Sequence, residues 1–86
     1  MRRNELRGIA KRKGEWVVAQ MDMGTSIRGV LTGVYADSVT LSHPTVLSED
    51  GPDWSLGNDE AVLPRSRLLY FQVGPGVTKD ATGGLA

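Results

Sequence analysis

The side chains best suited to chemistry in this chain are six basic residues near the N-terminus. Arginine and lysine neutralise phosphate groups, so such a cluster predicts salt-dependent, largely sequence-independent binding of nucleic acid. No aromatic side chain lies within the cluster to stack on bases, and pairing with an acidic surface of another copy is the alternative. The six residues are Arg2, Arg3, Arg7, Lys11, Arg12 and Lys13.

The charges are sorted along the chain, although the formal net charge is zero. Residues 1–13 carry a net charge of +5, residues 14–60 a net charge of −7, and the rest +2. One molecule therefore has a basic arm and an acidic body, which favours contacts between copies.

Carboxylates are concentrated in a long polar loop, residues 48–60. Oxygen ligands of this kind bind hard cations, but Pro52 and Trp54 occupy positions that carry side-chain oxygens in calcium-binding loops. A solvated loop is therefore favoured, and no metal or cofactor is predicted. The candidate ligands in this loop are Asp50, Asp53, Ser55, Asp59 and Glu60.

The chain offers little for catalysis. It has no cysteine and one histidine, His43, and no serine has an evident activating base. We therefore predict that the protein is not an enzyme. Trp54 is the more informative residue of the loop: it either covers an open end of the domain or docks into a neighbouring subunit.

The elements that position these residues are one short helix and five short strands. Residues 3–13 predict a helix whose apolar face is Leu6, Ile9 and Ala10, with Asn4 as its cap and Gly14 at its end. The residue types then change to β-formers, and alternation predicts strands near residues 15–21, 27–35, 39–43, 61–64 and 68–73.

The second strand carries apolar residues on both faces, with Gly29 and Gly33 interleaved. It is either buried on both sides or strongly bent at its glycines, and the second alternative suits so short a chain. Trp16 is expected in the core. The remaining predicted core residues are Val17, Ala19, Met21, Leu31, Val39, Leu41, Val62, Leu69, Phe71 and Val73.

This order of elements resembles the Sm-like family of small β-barrels, which includes the eukaryotic Sm and LSm proteins and bacterial Hfq. The resemblance rests on Gly24 in the first turn, on Gly29-Val30-Leu31, which is similar to the family's Gly-x-Leu, and on residues 35–41. It implies a five-stranded, strongly bent barrel that assembles into rings. The family's RNA-contacting Asp and Asn correspond here to Tyr35 and Val39, so the resemblance supports the fold more than the RNA site.

We therefore expect a mainly β domain at residues 15–73, after a basic arm at 1–14 and before a flexible tail at 74–86. Open strand edges predict a non-enzymatic homo-oligomer, with Asp53, Trp54, Leu68 and Tyr70 at the interface. The expected setting is the cytoplasm or a phage virion, with other structural proteins as further partners and no membrane. The alternative is an RNA-binding or single-strand-binding protein that contacts phosphates through the basic arm.

Overall fold

The structure is a computed structural model that describes residues 1–77. The predicted helix forms as α1 (Arg3–Ile9) and continues through a 3-10 turn at Ala10–Arg12. Leu6 and Ile9 are buried, as expected, and Gly14 has a left-handed φ of +88° just beyond the turn. The N-cap residue is Arg2 and not Asn4, which differs from the prediction. The Arg2 backbone nitrogen donates a hydrogen bond to the Glu5 carboxylate at 3.2 Å.

Within residues 1–77, six antiparallel strands form one sheet. They are β1 (Trp16–Met21), β2 (Ser26–Val34), β3 (Ser38–Leu47), β4 (Trp54–Ser55), β5 (Glu60–Pro64) and β6 (Leu68–Gln72). The strands are ordered β4-β3-β2-β1-β6, and β5 pairs with the first half of β3 beside β4. The two-residue strand β4 lies in the acidic loop, where no strand was predicted, so the sheet has six strands and not five.

The bending of β2 is local and occurs at two bulges. Gly29 faces two residues of β3, His43 and Pro44, and a Cβ at Gly29 would lie 2.9 Å from the Ser42 carbonyl oxygen. Only glycine leaves room for that carbonyl. The second bulge leaves Thr32 unpaired, and its hydroxyl lies 2.8 Å from the Thr40 hydroxyl. The sheet as a whole is not closed or strongly curled, which differs from the strongly bent barrel expected.

The core lies between α1 and one face of the sheet. Of the predicted core residues, six are buried: Val17, Ala19, Met21, Leu31, Val39 and Leu41. Phe71 and Val73 are partly buried against them. Trp16 is also only partly buried and lies on the opposite face of β1 from Val17.

Two predicted core residues are wrong: β5 alternates regularly but turns its other face to the core, and β6 contains a register shift. Val62 is 62% exposed and Leu69 is 55% exposed, whereas their neighbours Leu63 and Leu68 are buried. On β5, Leu63 pairs with the core residue Val39.

On β6, a bulge shifts the register. Met21 pairs with Leu68, and the next residue of β1, Gln20, pairs with Tyr70. Leu69 is therefore the extra residue, and the bulge allows Leu68 and Phe71 to reach the core three positions apart. Tyr70 is 56% exposed.

The predicted flexible tail begins at residue 74. Residues 74–77 form a turn in which the Val77 backbone nitrogen donates to the Gly74 carbonyl at 3.0 Å, and Val77 is buried. The rest of the predicted tail, residues 78–86, lies outside the described residues.

Candidate functional site

The two edges of the sheet are the first candidate site. In the part of the chain that the structure describes, β5 pairs only with β3, and β6 pairs only with β1. Each strand therefore has one side without a backbone partner in these pairings. Free strand edges of this kind pair readily with another chain.

Apolar side chains are exposed on both edge strands. Val62 on β5 and Leu69 and Tyr70 on β6 are each more than half exposed. Leu68, which was expected at an interface, is only 1% exposed and belongs to the core. Leu69 lies on the surface in its place, because of the bulge.

Two of the other expected interface residues share one surface groove. Asp53 and Tyr70 line a groove of about 500 Å³ together with Glu49. Asp53 also accepts a hydrogen bond from the Ser48 backbone nitrogen at 3.0 Å, which orders this part of the acidic loop. The groove combines an aromatic ring with two carboxylates, so it is suited to a basic segment.

Trp54 does not line this groove. It is 68% exposed on β4, where its backbone pairs with Val46. A ring this exposed does not cover an end of the domain, and docking of Trp54 into a neighbouring subunit stays a prediction.

The basic side chains of the arm form few ion pairs with the part of the chain that the structure describes. Arg12 pairs with Glu15 at 3.2 Å, and both side chains are about half exposed. Between residues 1 and 77, no ion pair joins the arm to the acidic loop; the other pair, at 3.3 Å, joins Arg67 to Asp22. Most of the arm's charge is thus available to a partner.

The structure places the ring of Tyr35 beside the basic arm, a proximity that the sequence did not predict. Arg3 and Arg7 of α1 line a groove of about 280 Å³ with Tyr35, which follows β2. The Tyr35 ring is 59% exposed and folds back over Gly33, where a Cβ would lie 2.8 Å from the ring. An exposed ring beside two arginines can stack on a base while the arginines contact phosphates.

The β2–β3 and β5–β6 connections also meet near this groove. The Arg65 backbone nitrogen donates to the Asp37 carbonyl at 2.8 Å. The Met1 nitrogen donates to the carbonyls of Arg65 at 3.1 Å and Leu68 at 2.7 Å. Tyr35, Asp37 and Arg65 are therefore held at one end of the domain, next to α1.

Neither a metal site nor a membrane-spanning helix is found in residues 1–77. No three of the His, Asp and Glu side chains there are grouped so as to hold a metal ion. No helix in the same range is both long enough and apolar enough to cross a bilayer.

The chain has an Sm-like fold, in which a short helix packs on an open antiparallel sheet and β1 and β6 are neighbours. No family model and no curated protein sequence matches the chain. The three solved structures described next share at most 19% sequence identity with it, so they show its fold alone.

Two of these structures are archaeal Sm proteins. A heptameric archaeal Sm protein shares 18% identity over 80% of this chain and 98% of its own, with a TM-score of 0.69. The SmAP1 heptamer of P. aerophilum shares 19% identity over 81% of this chain and 92% of its own, also with a TM-score of 0.69. A chain of a NatC complex bound to CoA shares 16% identity over 86% of this chain and 94% of its own, with a TM-score of 0.68.

Proposed function

We propose that this protein is a non-enzymatic assembly module that associates with copies of itself through the edges of its sheet. The observation that carries the proposal is the pair of free edge strands, β5 and β6, each with exposed apolar side chains. The similarity in fold to two proteins described as heptamers supports it.

In this assembly, β5 of one copy pairs with β6 of the next. The two surfaces differ, so the contact is heterologous and produces a ring if the rotation closes or a filament if it does not. Val62, Leu69 and Tyr70 lie on the pairing strands, and we assign Trp54 and Asp53 to the same interface. Aromatic anchors supply much of the affinity in such contacts.

Charge has a secondary role in the proposed contact. The basic arm of one copy is complementary to the acidic loop of the next, and the arm has no ion pair with its own loop among residues 1–77. Each exposed pair contributes only about 0–1 kcal/mol. We therefore expect the charges to influence orientation and association rate more than affinity.

Lysine on either edge strand is expected to prevent self-association. Val62→Lys places a charge on β5 and Leu69→Lys places one on β6, and both positions are more than half exposed, so the monomer should still fold. Light scattering coupled to size-exclusion chromatography should show an oligomer for the parent and a monomer for each variant.

In the same measurement, Trp54→Ala is expected to weaken the oligomer, and Asp53→Asn is expected to have a smaller effect.

The matched control is Met23→Lys, which replaces a side chain that is 89% exposed and lies on neither edge strand. Its oligomer should equal that of the parent. A parent that stays monomeric at high protein concentration, or edge variants that assemble as well as Met23→Lys does, would contradict edge pairing.

A structural component of a phage virion is the setting we propose for such a module, with other structural proteins as further partners. A free cytoplasmic assembly is the alternative setting. The genes that flank this one distinguish them, because capsid and tail genes on either side favour the virion.

The second candidate function is binding of RNA or single-stranded nucleic acid. It is favoured by the groove in which Tyr35 meets Arg3 and Arg7, close to Asp37 and Arg65. In this function the arginines contact phosphates and the ring stacks on a base.

Binding of labelled oligouridine tests this candidate. We expect affinity at low salt that falls steeply as salt is raised, because each phosphate contact releases counterions. Arg3→Gln combined with Arg7→Gln should weaken binding, and Tyr35→Ala should weaken it without changing the salt dependence. Arg67→Gln is the control, since Arg67 pairs with Asp22 and does not line this groove. Absence of binding at low salt would refute the candidate.

A further inference from the structure

A buried arginine without a partner lies on the face of the sheet that α1 does not cover. Arg28 is the only arginine or lysine between residues 14 and 60, and it is 7% exposed as the third residue of β2. Its Nε and one terminal nitrogen are fully buried, and neither has a hydrogen-bond partner within the described chain. Buried arginines in proteins are normally paired, because the guanidinium keeps its charge.

Arg28 lines a pocket of about 330 Å³, here called the Arg28 pocket, that is formed by four strands and a loop. The pocket is lined by Trp16, Arg28, His43, Thr45, Ser55, Gly57 and Asn58. Arg28, the two hydroxyls, the Asn58 amide and the imidazole can all donate hydrogen bonds. None of the described residues that line the pocket carries a carboxylate.

The backbone beside this pocket is held in an unfavourable conformation. His43 has a φ of +51°, in the left-handed region, at the bulge opposite Gly29. Non-glycine residues adopt this conformation at a cost in free energy, and such strain is concentrated at binding sites. His43, within this bulge, and Thr45, next to it, both line the Arg28 pocket.

We propose that the Arg28 pocket binds a phosphate group. Arg28 gives the pocket a permanent positive charge, and side chains of β3, β4 and the loop after β4 supply hydrogen-bond donors around it. A phosphate group offers more acceptor oxygens than a carboxylate, so it satisfies more of these donors. The phosphate is either free or carried by a small organic molecule whose remainder lies against Trp16. This site is distinct from the groove of Arg3, Arg7 and Tyr35, with which it shares no lining residue.

Titration of the isotopically labelled protein with inorganic phosphate tests the proposal by NMR. We expect saturable shifts at the indole NH of Trp16 and at the amides of Ser55 and Asn58. Acetate at the same ionic strength should produce much smaller shifts at these positions. Equal responses to acetate, shifts confined to residues 2–13, or no saturable response would each overturn the proposal.

Arg28→Met supplies the matched variant, because it keeps the length and apolar stem of the side chain and removes the charge. Phosphate should raise the melting temperature of the parent but not of Arg28→Met, beyond the general stabilisation that phosphate gives any protein. Arg67→Met, at an exposed arginine, should respond as the parent does. An equal response from parent and Arg28→Met would overturn the proposal.

Adenosine monophosphate distinguishes the two sources of the phosphate group. If adenosine monophosphate binds more tightly than inorganic phosphate and produces a larger shift at Trp16, the site takes a phosphate carried on an organic molecule. Equal affinity assigns it to free phosphate. The assembly state of Arg28→Met is measured in parallel, so that loss of phosphate binding is distinguished from loss of the oligomer.

Discussion

Leu68→Ala is expected to lower the free energy of unfolding of the monomer by about 2–5 kcal/mol, the usual range for removing a fully buried leucine. Leu68 is 1% exposed and packs in the core cluster with Val17 and Leu31. The loss combines the transfer of apolar surface with the cavity left behind. Urea denaturation at low and constant protein concentration measures it, because association with other copies adds to apparent stability.

Leu69→Ala is the matched control, one residue away on the same strand. Its side chain is 55% exposed, so the expected change is within about 0.5 kcal/mol. Equal losses for the two variants, or a larger loss at Leu69, would show that the bulge in β6 is placed wrongly and that strict alternation holds there.

Gly29→Ala is expected to cost about 1–3 kcal/mol, the usual range for overpacking a well-packed site. The new Cβ would lie 2.9 Å from the Ser42 carbonyl oxygen and 3.0 Å from the Leu41 Cβ. The carbonyl belongs to the backbone of the bulge in β3, so it cannot move away without disturbing the pairing of β2 with β3. The Arg28 pocket would be distorted as well.

Gly8→Ala is expected to raise the free energy of unfolding, in contrast to Gly29→Ala. Gly8 lies within α1, and a Cβ there meets nothing within 4 Å. Alanine should stabilise the helix by about 0.5–1 kcal/mol, because it loses less conformational freedom than glycine. Circular dichroism during urea denaturation compares both variants with the parent. If Gly29→Ala proved as stable as the parent, close approach at the bulge would not be the reason for glycine at this position.

The placement of the early elements could be predicted from the sequence. The alternation of Val17, Ala19 and Met21 identifies the buried face of β1, and Leu6 and Ile9 identify that of α1. In these segments, one face is apolar and the period is regular, so the hydrophobic effect alone determines which side is buried. The Sm-like fold was predicted from a family resemblance, in the order of the elements, in Gly24, in Gly29-Val30-Leu31 and in residues 35–41.

The candidate sites could be predicted only in part. The basic arm and acidic loop are evident from charge, but nothing in the sequence places Tyr35 beside Arg3, since 32 positions separate them and the loop between β2 and β3 must fold back over Gly33. The one sequence signal for the Arg28 pocket is that Arg28 is the single charged residue of β2.

What the sequence determined by itself is therefore the mainly β architecture, the buried faces of α1, β1 and the first half of β3, and the sorting of charge. The tertiary structure alone decided the register of β5 and β6, and with it the burial of Leu63 and Leu68 and the exposure of Val62 and Leu69. The physical reason is that register is set by pairing with a distant strand. A single bulged residue reverses the face of every residue beyond it, and local alternation carries no information about where that bulge falls.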